Sequence, residues 1–184
     1  AERGPDPGHT YNTSVLIDPS GNVAATYRKI HLFDVDIAPD TKHHESASVA
    51  AGPATPVVAD VDGWRLGLSI CYDLRFPELY RALVAAGAEV LAVPAAFTVR
   101  TGAAHWLTLL RARAIENQCY VLAPAQVGTH FGSRESYGHA LIAGPWGDIV
   151  AEVEGGPGWV TASLRRDRLA EVRAAVPCLT HRRM

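Results

Sequence analysis

Cysteine is scarce in this chain. Cys71, Cys119 and Cys178 are the whole complement in 184 residues. The number is odd, no two lie close together and no C-x-x-C occurs, so a disulfide framework is excluded and reduced thiols are expected. A surplus of either charge is missing too. Lys and Arg number 17 against 19 Asp and Glu, a net charge of -2, and no basic run is present, so no nucleic-acid partner is expected. No uninterrupted apolar run is long enough to span a bilayer, and no membrane partner is expected. The first residues, AERGPDPGHT, are polar and lack the apolar core of a signal peptide. Repeats and low-complexity linkers are absent as well. These absences leave a cytoplasmic protein as the expectation. The first residue is Ala rather than Met, so the gene is expected to begin further upstream. What is present is ordinary: 48% hydrophobic and 20% charged residues suit a single globular domain over residues 1–184 with a packed core.

Along the chain, TSVLID and VAATYRKI flank PSGN and predict a β-hairpin turning at residues 18–22. Residues 31–56 are poorly periodic and read as a long loop. VVADVDG and WRLGLSI predict a second strand pair. PELYRALVAAG predicts a helix, with Pro77 in its first turn and Gly87 near its end. EVLAVPAAF reads as a buried strand, AAHWLTLLRARAIENQ as a long helix with Trp106, Leu110 and Ala114 on one face, and CYVLAPAQ as the next buried strand. After a further loop, GHALIAG and DIVAEVEG predict a hairpin around Pro145, Trp146 and Gly147. GWVTASL reads as another strand and RRDRLAEVRAAV as a final amphipathic helix. Alternating strands and helices flanked by hairpins predict a mixed α/β fold with two layers of sheet.

The stretch RLGLSICYDLRFPEL, residues 65–79, places Cys71 where an apolar strand stops and a helix is about to begin. A core cysteine sits inside a strand. A cysteine at such an elbow faces a pocket, close to free backbone N–H groups that favour a thiolate or an acyl oxyanion. A papain-like arrangement would need a histidine base. His105 and His139 are the candidates, and neither lies in a catalytic signature. Lys29, in TYRKIHLFD, is crowded by Tyr27, Ile30, Leu32 and Phe33, which suits a fixed cation or proton donor. Glu45 follows His43 and His44, but adjacent side chains rarely converge on one ion, so no metal is expected. Glu78 lies in a first helical turn, where it serves the helix dipole. Glu116 lies near Arg111 and Arg113, where an ion pair suffices.

Taken together and in order, YRKIHLFDVDI, ES and GLSICYDLRFPEL resemble the nitrilase superfamily of carbon–nitrogen hydrolases. PAAFTVRTGAAHWLTLLRARAIENQCYV, SYGHALIAGPWGDIVAE and LTHRR agree with it. The likeness covers essentially the whole chain and is nearest to the branch of deaminated glutathione amidases and omega-amidases. It implies an α/β fold, a four-layer α-β-β-α sandwich, incomplete here at the N-terminus, with residues 1–184 forming the C-terminal portion of one hydrolase domain.

The resemblance also implies a Glu-Lys-Cys site with a second glutamate. Its cysteine falls on Cys71, its lysine on Lys29 and its second glutamate on Glu45. The first glutamate, the general base, belongs upstream of the first hairpin. Glu2, in AERGPDPG, does not match it, so the base is expected outside this sequence. In the implied mechanism Cys71 attacks an amide carbonyl, and Lys29 with the backbone N–H of Tyr72 holds the oxyanion. Ammonia departs, and water hydrolyses the thioester. No cofactor is expected. The implied substrate is a small carboxylate-bearing amide, deaminated glutathione or a similar omega-amide. Arg75 is a candidate for its carboxylate, unless a structural ion pair with Asp73 or Glu78 takes it. Phe97, Thr98 and Trp106 are candidates to line the pocket or to belong to the core. The alternatives are an omega-amidase acting on 2-oxoglutaramate, a carbamoyl hydrolase, or an inactive fragment or interaction module. The full-length form is expected to be a homodimer.

Overall fold

The computed structural model describes residues 2–38, 41–130, 132 and 134–183. Two short strands, β1 (Glu2–Arg3) and β2 (Thr10–Tyr11), precede the predicted hairpin of β3 (Thr13–Ile17) and β4 (Val23–Arg28). Asp18 closes that hairpin. Its Oδ1 accepts the backbone N–H groups of Ser20 and Asn22 at 2.9 and 2.8 Å, the Asx arrangement that makes Asp a turn former.

The segment read as a long loop is largely structured. It holds a second hairpin, β5 (Asp34–Ala38) with β6 (Thr41–His44), a 3-10 turn at Glu45–Ala47, and β7 (Val49–Ala50), which pairs with β2. Backbone pairing with little apolar burial makes this hairpin, so hydrophobic alternation gave no sign of it. Pro39 and Asp40, within that segment, lie outside the described residues.

The main sheet has six strands. β8 (Val58–Val61) and β9 (Trp64–Leu68) form the predicted pair, and α1 (Pro77–Ala85) carries the chain to β10 (Val90–Ala92). The helix α2 (Val99–Asn117) then leads to β11 (Tyr120–Ala123). A hairpin of β12 (Val127–His130) and β13 (Arg134–Tyr137) replaces the expected loop. It is followed by β14 (Leu141–Ala143), β15 (Ile149–Glu152) and α3 (Arg166–Ala175). The order across the sheet is β15-β14-β11-β10-β9-β8, with β9, β10 and β11 parallel and the outer strands antiparallel. Helical crossovers impose the parallel centre, because parallel neighbours cannot be joined by a tight turn. The expected strand in GWVTASL does not form. Trp159 is 82% exposed, and residues 158–164 run as irregular backbone towards α3.

Alternation along the central strands sorts their residues to two faces. Leu91, Val93, Val121, Ala123 and Leu141 meet Leu79, Tyr80 and Leu83 of α1 and Trp106, Leu110 and Ala114 of α2. On the other face Val90 and Tyr120 meet Leu169 of α3, with Trp64, Leu122 and Leu164 around them. The second layer of sheet appears, among the described residues, as separate two- and three-stranded units. Val15, Ile17 and Val23 on the β3–β4 hairpin stay exposed.

The α2 helix is fastened tightly at its start. Thr98 is its N-cap, accepting the Thr101 N–H at 3.3 Å. One turn later Gly102 packs under Tyr137, where an added Cβ would lie closer than 3.0 Å to the ring atoms. Gly102→Ala is therefore expected to lower stability by about 1–3 kcal/mol through overpacking. Thermal melts of the two forms check this, and an unchanged midpoint would contradict it.

Candidate active site

The three parallel strands point their carboxyl ends at one place, the usual location of a site in such sheets. Past the end of β9 the chain turns sharply. Ile70 is extended, and Cys71 has a φ of 49°, in the left-handed region that costs a non-glycine residue on the order of 1 kcal/mol or more. A 3-10 turn over Cys71–Arg75 follows, then α1. Backbone bonds on both sides secure the turn. The Cys71 N–H donates to the Pro94 carbonyl at 2.9 Å, and the Asp73 N–H donates to the Ile70 carbonyl at 3.1 Å. The thiol is half-buried and unpaired. Burial pushes it upward in pKa, and a hydrogen bond from the Ala96 N–H and the positive charge of Lys29 pull the other way. The thiol thus prefers its neutral form at rest, with one backbone donor and one cation beside it that favour the thiolate.

Lys29 follows directly on β4 and is 2% exposed. Its Nζ pairs with Oε2 of Glu45. That same oxygen accepts the Phe33 N–H at 2.7 Å, and Oε1 accepts the Asn12 side-chain amide at 3.3 Å. Glu45 opens the 3-10 turn after the β5–β6 hairpin, so the unforeseen hairpin is what delivers it. Lys29, Glu45 and Asp73 are the charges that act on Cys71. The structure therefore brings Cys71, Lys29 and Glu45 together from three separate stretches of the chain.

Other candidates have different places. His105 bonds Arg75, and His139 bonds Glu152 at 3.0 Å, so neither serves as a base for Cys71. His43 accepts a hydrogen bond from Arg134 at 2.8 Å. Burial and that guanidinium lower its pKa. Glu45 is committed to Lys29, so the two histidines and Glu45 do not converge. Glu2 is paired with Arg28 and accepts from Thr13. Glu116 pairs with Arg113 at 2.8 Å rather than with Arg111, which donates to the Gly147 carbonyl. Glu78 is exposed in the first turn of α1.

Among the substrate-binding candidates, Arg75 does not pair with Asp73. Its Nη1 donates to Nδ1 of His105 at 3.2 Å, and its guanidinium lies over the rings of Tyr72 and Phe97, 5.7 and 5.3 Å from their centroids. Phe97 is 6% exposed beneath it. Thr98 is engaged as a helix cap. Trp106 is 1% exposed and donates its indole N–H to the His139 carbonyl at 2.8 Å, so it belongs to the core. The Tyr72 ring stands 5.0 Å from Phe33 and 5.4 Å from Phe76, edge-on to both, while its N–H lies in the opening turn of the 3-10 segment, where backbone donors lack helical partners.

Two participants escaped the sequence reading. Ala96 supplies a backbone donor, which no side-chain pattern announces. Asp73 is fully buried, with its oxygens facing Tyr27, His31 and Ile70. A charged residue two positions beyond the elbow was the available signal. Among the described residues no group of three His, Cys, Asp or Glu is placed to hold a metal ion, and no helix is long and apolar enough to cross a membrane.

Comparison with known proteins adds an independent line. Residues 1–174 match the carbon-nitrogen hydrolase family. A deaminated glutathione amidase of Synechocystis sp. is 53% identical over 95% of this chain and 65% of its own length. The Homo sapiens deaminated glutathione amidase is 48% identical over 99% of the chain and 57% of its own. The chain thus spans less than two thirds of these relatives. The crystal structure of the C. elegans NitFhit protein superposes with a TM-score of 0.87 at 45% identity, covering 97% of this chain and 44% of that one. Saccharomyces cerevisiae Nit3, a member of branch 10 of the nitrilase superfamily, superposes with a TM-score of 0.84 at 35% identity, covering 96% and 61%.

Proposed function

We propose that this chain, which belongs to the carbon-nitrogen hydrolase family, carries the nucleophile and the oxyanion-binding lysine of an amidase acting on a small carboxylate-bearing amide. The observation that carries this reading is the buried Lys29–Glu45 pair beside the strained Cys71 elbow. A lysine held at 2% exposure is a costly arrangement for stability alone, and it makes chemical sense if negative charge develops beside it.

In the proposed reaction Sγ of Cys71 bonds to the amide carbon as the carbonyl π pair moves to oxygen. The thiol proton goes to the general-base glutamate that the resemblance places upstream of the first hairpin. Lys29 and the Tyr72 N–H receive the oxyanion, each such donor contributing about 3 kcal/mol. Glu45, paired with Lys29, holds its ammonium in place. The tetrahedral species collapses, the C–N bond breaks, and the nitrogen leaves with the transferred proton. Water then adds to the thioester, and the second collapse returns the thiol and a carboxylic acid.

The deaminated glutathione amidases among the relatives make deaminated glutathione the first substrate to offer. Arg75, stacked on Tyr72 and Phe97, is the proposed partner of a substrate carboxylate, since a planar guanidinium already held on aromatic faces loses little freedom on binding an anion. The test is a panel: deaminated glutathione, 2-oxoglutaramate, an N-carbamoyl amino acid and an amide without a carboxylate, followed by release of the acid product. Deaminated glutathione is expected to have the highest kcat/KM. Arg75→Met should raise KM by ~10-fold or more for carboxylate-bearing amides only, the equivalent of about 1.4 kcal/mol. Preference for 2-oxoglutaramate or the carbamoyl compound would reassign the substrate, and no turnover of any amide would overturn the reading.

A further inference from the structure

Asp73 cannot touch a substrate, because it is 0% exposed. It is nevertheless the most heavily bonded carboxylate near the site. Oδ1 accepts the His31 backbone N–H at 3.0 Å and the His31 ring Nδ1–H at 2.7 Å. Oδ2 accepts the Tyr27 hydroxyl at 2.6 Å and the Ile70 N–H at 2.9 Å. The His31 ring is further stacked on Phe76, with centroids 3.7 Å apart and planes within 5°.

The sequence positions of these donors give the arrangement its meaning. Tyr27 and His31 stand two residues before and two residues after Lys29. Ile70 stands directly before Cys71, and Asp73 two residues after it. One buried carboxylate therefore grips both flanks of the lysine and both flanks of the nucleophile. The Lys29 and Cys71 segments belong to different units, the β3–β4 hairpin and the six-stranded sheet. No backbone ladder joins β4 to β9, so side chains must set their spacing. The strained φ at Cys71 also needs outside bonds to persist, and the Ile70 N–H held by Asp73 is one of them.

We propose that Asp73 is the positioning residue that sets Cys71 against Lys29, acting through Tyr27, His31 and the Ile70 N–H. The inference rests on the assignment of Cys71 and Lys29 as nucleophile and oxyanion partner. A carboxylate is required at this position. Each of its oxygens faces a backbone N–H, and an amide offers an acceptor to only one of them, leaving the other donor unsatisfied in a buried site.

The experiment compares Asp73→Asn and Tyr27→Phe with wild type, using the protein as its source makes it. Tyr27→Phe removes one ligand of Asp73 while keeping the ring and the carboxylate charge, so it guards against a variant that fails to fold. Three quantities are read: kcat and KM for the best amide of the panel, the rate at which iodoacetamide alkylates Cys71, and the melting midpoint. Asp73→Asn is expected to lower kcat by ~10- to 100-fold with KM within about threefold, the signature of lost orientation rather than lost binding. Tyr27→Phe is expected to lower kcat by about three- to tenfold and to slow alkylation, because the thiol loses its fixed relation to Lys29. A merely structural carboxylate would lower the melting midpoint and leave kcat per folded molecule and the Tyr27→Phe alkylation rate at wild-type values, and that result would overturn the proposal. If wild type cleaves no amide, the functional reading fails by itself, and the alkylation comparison still decides the role of Asp73.

Discussion

Replacing Cys71 with Ala is expected to remove amide hydrolysis by at least ~10⁴-fold, the scale seen when a covalent nucleophile is deleted. The fold should survive. The thiol is half-buried and unpaired, and Ala meets the same left-handed φ of 49° at similar cost, so the melting midpoint should move little. The wild-type thiol has a testable pH behaviour as well. Burial raises its pKa above the ordinary thiol value despite the Ala96 N–H and Lys29. A raised pKa means that the neutral thiol dominates near pH 7. Alkylation of the resting protein should therefore be slower there than for an exposed cysteine and should keep climbing above the usual thiol range. Turnover of Cys71→Ala at the wild-type rate would remove the nucleophile assignment altogether.

Lys29→Met should cost the next largest factor, ~10²- to 10³-fold in kcat, through loss of one oxyanion donor. The structure adds a consequence for stability. Lys29 is 2% exposed and Glu45 is mostly covered, so removing the cation alone leaves a buried carboxylate without its counter-charge, a loss of about 3–5 kcal/mol. The double variant Lys29→Met with Glu45→Gln separates the two effects. It should regain most of the melting midpoint and none of the turnover. Recovery of turnover together with stability would make the lysine structural, and Cys71 would need another oxyanion partner.

The candidate site residues were legible because their local contexts are unusual. Lys29 and Lys42 are the only lysines in the chain, and one of them follows a strand among apolar neighbours. Cys71 sits at a strand end rather than inside it. The central elements were equally clear, since β8 to β10 and α1 follow periodic patterns punctuated by Pro and Gly, while α2 passes into β11 through Gln118 at a φ of 48° without either. The β5–β6 and β12–β13 hairpins were missed for the converse reason. They are held by backbone pairing and edge contacts, with little apolar burial to leave a pattern. The strand expected in GWVTASL failed because alternation describes a face without supplying a neighbour to pair with, and Trp159 ends in solvent.

Arg75 and Trp106 show what the tertiary structure adds where local reading leaves alternatives open. Asp73 is near Arg75 in sequence and of opposite charge, yet its carboxylate turns inward to Tyr27 and His31, and Arg75 finds His105 thirty residues away. Trp106 was a candidate for the pocket or for the core, and it is part of the helix–sheet core.

From sequence alone come the α/β class, the elbow at Cys71, and Lys29 and Glu45 as candidates through the family pattern. Those are properties of short segments, set by backbone preference and side-chain chemistry. Only the tertiary structure decides that Glu45 is delivered by a hairpin, that Ala96 turns its N–H to the thiol, and that Asp73 bonds both the segment around Lys29 and the segment around Cys71. Each depends on groups far apart in the chain, and hydrogen-bond geometry at that range follows from the packed sheet and helices rather than from local spacing.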